Sequence, residues 1–60
     1  MNIKIRLKAL LREAEVKQED LHFRTGYEFS DVKTKEDFNE IVRLLSITIW
    51  GLEKYYIKED

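Results

Sequence analysis

From Phe38 to Tyr56, apolar residues recur at steps of three and four: Phe38, Ile41, Val42, Leu45, Ile49, Leu52 and Tyr56. This spacing lays one stripe along a 3.6-residue helix, so this part of the chain must pack a helix face against something else. Thr34 followed by Asp37 predicts a capped start, with Asp a weaker partner than Glu or Gln. Either one helix runs from about residue 35 to 57, or a break at Ser46–Thr48 divides it, with Ser46 or Thr48 capping the second piece. No proline forces the break.

Upstream, Ile3, Leu7, Leu10, Leu11 and Ala14 form a second helical stripe, with Lys4, Lys8, Arg12, Glu13 and Glu15 on the other face. Ile3, Ile5 and Leu7 also alternate as in a strand, but the helical pattern is longer. Val16 to Leu21 reads as the start of another helix. With Lys17 as N-cap, Val16 and Leu21 have the spacing of a hydrophobic staple. Glu19 and Asp20 suit the positive end of the helix dipole, and Arg24 and Gly26 supply ordinary stop signals. A competing reading takes the alternation of Leu21, Phe23, Tyr27 and Phe29 around Arg24-Thr25-Gly26 as a β-hairpin over residues 21–29. Residues 27–34 carry no helical period and read as a loop or at most one turn.

The chain has 60 residues, no Cys and 43% apolar residues, enough for a core in one small domain spanning residues 1–60. Such a chain buries only about 60% of its unfolded surface. Lacking disulfides or thiolate metal sites, it must rely on helix packing or self-association. The expected fold is all-α, a small bundle of three to five helices; α+β with a hairpin is the alternative. Net charge is −1, with +1 on residues 1–30 and −2 on residues 31–60. That excludes nucleic-acid binding by bulk charge but not through a local basic patch. Lys4, Arg6, Lys8 and Arg12 supply such a patch, facing no acid within the first twelve residues. No apolar run approaches the roughly 18–20 residues that span a bilayer, and no secretory signal is visible. A cytoplasmic location and no membrane partner are therefore expected.

Arg6, Leu7, Lys8, Leu10, Glu13, Gln18, Glu19, Leu21, Thr25 and Gly26 match, without gaps, the wording of a known motif. In these residues the chain resembles the Cro/CI (XRE) helix-turn-helix family. A second resemblance lies at Arg43 to Glu53, which looks like the family's last helix pair, with Thr48 at its N-cap and Leu52 at its buried leucine. The resemblance implies a small transcriptional regulator, with Gln18 at a phosphate-contacting position. The chain departs from the family after Gly26. Only the eleven residues Tyr27 to Asp37 precede the matching fourth helix. The family uses roughly twenty there, including the recognition helix that lies in the major groove. His22 also stands where the family has a small Ala.

No arrangement of catalytic groups is visible. His22 has no oriented nucleophile nearby, Ser30 and Ser46 lie in no motif, and the acidic residues follow no metal-loop pattern. No enzyme activity, cofactor, metal or small-molecule substrate is expected. Gln18, Arg24, Lys33 and Lys35 are candidate DNA contacts. Leu44, Ile47, Trp50 and Tyr55 form a second apolar row beyond the core stripe, and a face this wide on a short chain suits self-association or a protein partner. The expected function is non-catalytic regulation by protein–protein contact and self-association, of an antirepressor or inhibitor type. A small DNA-binding regulator is the alternative. By analogy, such a module suits a phage or mobile element.

Overall fold

The computed structural model describes residues 2–58. Helix α1 (Ile3–Ala14) begins at Asn2, whose side-chain oxygen accepts hydrogen bonds from the backbone N–H groups of Lys4 (3.0 Å) and Ile5 (3.2 Å). Two of the helix's four free donors are thereby satisfied. At its other end Glu15 adopts left-handed backbone, φ 58°. The N–H of Glu15 then reaches the Arg12 carbonyl and that of Val16 the Leu11 carbonyl. This is the paired-bond ending usually made with glycine, accompanied here by burial of both Val16 and Leu11.

The turn that follows delivers the chain into a 3-10 turn (Gln18–Asp20) that runs directly into α2 (Leu21–Thr25). Lys17 precedes it without a side-chain capping bond, and the staple residues Val16 and Leu21 are both buried. Gly26 ends α2 with φ 80°, a conformation glycine adopts without a Cβ clash. The β-hairpin alternative for residues 21–29 is corrected. In a strand Leu21 and Phe23 would share a face, whereas here Leu21 is fully buried and Phe23 is 79% exposed. No strand occurs among the described residues. The linker contains one 3-10 turn (Phe29–Asp31), from which Val32 drops into the core although it lies outside any periodic stripe.

Helix α3 (Lys35–Ser46) opens with a reciprocal cap. The Thr34 hydroxyl accepts from the Asp37 N–H at 3.1 Å, and the Asp37 carboxylate accepts from the Thr34 N–H at 3.2 Å and the Lys33 N–H at 3.1 Å. Phe38, Ile41, Val42 and Leu45 are buried, as the stripe predicts. The single helix to residue 57 is corrected: α3 stops at Ser46, and the N–H groups of Ile47, Thr48 and Ile49 all turn back to Leu44 or Leu45. The β-branched run Ile47-Thr48-Ile49 and then Gly51, at φ 88°, disfavour continuation. No α-helix starts after Thr48 among the described residues, so its expected N-cap role is corrected too. Beyond Leu52, fully buried, the described residues hold only a 3-10 turn (Glu53–Tyr55). Ile57 fills the core place expected of Tyr56, which is exposed.

The core joins the buried faces of α1 and α3 to Val16, Leu21, Val32, Leu52 and Ile57. Among the described residues, no charged or polar residue is buried in it.

Candidate functional site

The turn that closes α3 leaves two large apolar side chains in water. Trp50 is 95% exposed and Ile47, three residues earlier, 71% exposed. Their neighbours in sequence do the opposite: Ile49 packs against the core and Leu52 enters it. The cause is the early end of α3. A continued helix would have spread both rows along one rod, whereas the actual turn directs Ile49 and Leu52 inward and Ile47 and Trp50 out.

The expected second row is therefore divided. Leu44 is half-buried on α3, while Ile47 and Trp50 stand free. Tyr55 lies against α1, where its hydroxyl donates to the Glu13 carboxylate at 2.9 Å and its carbonyl accepts from Arg6 at 3.2 Å. Lys54 pairs with the other Glu13 oxygen at 2.8 Å. These bonds, from Lys54 first and then Tyr55, hold the Glu13 carboxyl below its ordinary pKa, and the same contact raises that of the Tyr55 hydroxyl.

This cluster borders a shallow groove of about 460 Å³ lined by Ile5, Arg6, Ala9, Glu13, Lys54 and Tyr55. Ile5, 65% exposed, is its most exposed apolar residue. Ile5 lies outside the helical stripe of α1, and only the position of Tyr55 turns it into one wall of a groove.

The candidate DNA contacts do not line one groove. Gln18 lines a groove with Lys8, Arg12, Lys17 and Glu19, above Leu11 and Val16. Lys33 lies in a different groove, beside Lys4. Arg24 and Lys35 are exposed and line neither. Lys4 is engaged within the fold: its ammonium donates to the Phe29 carbonyl and sits 4.7 Å from the centre of the Phe29 ring. Where the resemblance places a recognition helix, between Gly26 and α3, the described residues hold only the Phe29–Asp31 turn. One such turn cannot lay side chains along several base edges of a major groove.

The His22 ring lies against Phe23, centres 3.9 Å apart and tilted by 37°, with Glu28 3.9 Å from its Nδ1. Ser30 is exposed and the Ser46 hydroxyl is buried without a partner. No group of three or more His, Cys, Asp or Glu residues among the described residues is arranged to hold a metal ion. No described helix is long and apolar enough to cross a membrane.

No family model, curated protein or solved structure matches this chain.

Proposed function

We propose that this chain is a non-catalytic regulatory binding module that works by protein–protein contact, self-association included. The Ile47–Trp50 turn is its contact surface. Exposure of Trp50 carries the reading. An indole left almost wholly in water forgoes the burial gain that aromatic side chains ordinarily supply, and buried Trp is among the commonest anchors of protein interfaces. A domain this small has little stability to spare, so a large apolar group outside its core is better accounted for by contact than by folding. An antirepressor or inhibitor activity fits a helix-turn-helix-like chain with only one short turn described between Gly26 and α3.

The test compares wild type with Trp50→Ala, first by light scattering and then as baits in co-purification from the native host. The reading expects at least one complex, homomeric or heteromeric, that the substitution abolishes. Complexes unaffected by Trp50→Ala, or none at all, refute it.

A second reading, a small DNA-binding transcriptional regulator of Cro/CI type, draws on the groove where Gln18 meets Lys8, Arg12 and Lys17. None of these three cations forms an ion pair among the described residues. This mode expects a gel shift that weakens steeply with salt, because phosphate contacts release counterions. Absence of a shift at low salt on random and operator-like duplexes removes it.

A further inference from the structure

The exposed Trp50 and the α1 groove are both unfilled apolar features, and their chemistry matches. The groove offers Ile5, Ala9 and the Tyr55 ring as apolar surface. Lys54 brings an exposed cation to its wall, which suits the electron-rich face of an indole. A buried indole also needs an acceptor for its N–H. Glu13 lines the groove, and each of its oxygens carries one bond, to Tyr55 and to Lys54. A carboxylate has about four lone-pair sites, so capacity remains for an indole N–H. Phe23, also exposed on this molecule, has no polar group that would use that acceptor.

Trp50 does not fill its own groove, since it is 95% exposed. Yet the two are close along the chain: Lys54, on the groove, is four residues after Trp50. Four residues span at most about 14 Å. The backbone that carries the knob therefore lies within that distance of the backbone that carries one wall of the groove. In a two-fold exchange each copy inserts its Trp50 into the groove of the other, which closes the contact at two chains.

We infer that the occupant of the groove formed by Ile5, Ala9, Glu13 and Tyr55 is Trp50 of a second copy of this chain, in a reciprocal dimer. This rests on the reading of Trp50 as a contact residue and adds the surface that receives it.

Sedimentation equilibrium tests the inference on wild type, Trp50→Ala, Ile5→Glu and an equimolar mixture of the two variants. Circular dichroism checks that each keeps its helix content; Ile5 and Trp50 are exposed, so neither substitution removes core packing. Wild type is expected to be dimeric, and each variant to weaken association by about 30-fold or more, the loss of a hot-spot anchor. The mixture recovers part of the association, since the intact Trp50 of one variant meets the intact groove of the other. A wild-type monomer at high concentration overturns the inference, while a heteromeric complex lost in Trp50→Ala would leave the contact role of Trp50 standing. Dimers broken by Trp50→Ala but untouched by Ile5→Glu overturn the groove assignment alone. Species growing beyond two chains overturn the reciprocal arrangement.

Discussion

Asn39 holds Ile57 by two hydrogen bonds: its amide nitrogen donates to the Ile57 carbonyl at 2.9 Å, and its side-chain oxygen accepts from the Ile57 N–H at 2.8 Å. One side chain on α3 thus satisfies both backbone groups of a core residue that lies outside any helix. This clasp anchors the end of the chain after Leu52 and completes the core beneath it.

Asn39→Ala leaves both Ile57 backbone groups without their partner and loosens an apolar side chain from the core. A loss of about 1–3 kcal/mol is expected, the range for unsatisfied buried polar groups. Thermal melts check this: at roughly 4–8 °C per kcal/mol for a domain of this size, the shift is large. A midpoint within a degree of wild type would show that the clasp contributes little.

The Thr34–Asp37 cap predicts both a mutational and a pH effect. Thr34→Ala is expected to cost about 1 kcal/mol. Hydrogen bonds from the Lys33 and Thr34 backbone N–H groups lower the Asp37 pKa in the folded state. A depressed folded pKa means that the cap contributes stability above the unfolded Asp value, about 3.9, and loses it as pH falls through the folded value. Glu13 and Glu40 are depressed as well, by Lys54 and Arg43 respectively, and act in the same direction. Urea titrations from pH 7 down to pH 2 should show falling stability, with a smaller fall in Asp37→Asn. Equal acid sensitivity in that variant would remove Asp37 from the account.

Glu15 holds a left-handed conformation at the end of α1, where a Cβ is unfavourable by roughly 1–2 kcal/mol. Glycine relieves that strain, less its greater entropy in the unfolded chain. Glu15→Gly is therefore expected to stabilise the protein by about 0.5–1 kcal/mol, read as a raised midpoint in denaturant. A lowered midpoint would mean that the Glu15 side chain supplies something the backbone geometry does not reveal.

Two aromatic substitutions should part company. Phe38 is fully buried, and Phe38→Ala is expected to cost about 3–5 kcal/mol, enough to unfold a domain this small at ambient temperature. Trp50→Ala, measured at concentrations low enough to exclude association, should change stability by no more than about 0.5 kcal/mol. Circular dichroism melts of the two variants side by side provide the check. A large loss in Trp50→Ala would assign Trp50 to folding.

The sequence by itself determined the local elements. The stripes of α1 and α3, the Thr34 cap and the Gly26 stop were legible because each depends on residues no more than a few positions apart, related by the helical repeat. So was the shortness of the segment between Gly26 and α3, a matter of counting. Only the tertiary structure decided which apolar residues face the core after Ser46. Once the backbone leaves the helix, a 3.6-residue period no longer predicts the direction of a side chain. Tyr55 turns to Glu13 on α1, Ile57 goes to the core under Asn39, and Trp50 is left outside, because those contacts bring together residues far apart in the chain. The candidate site inherits this division: apolar residues at 47 and 50 were readable, but their exposure, and the α1 groove that complements them, exist only once the chain has closed on itself.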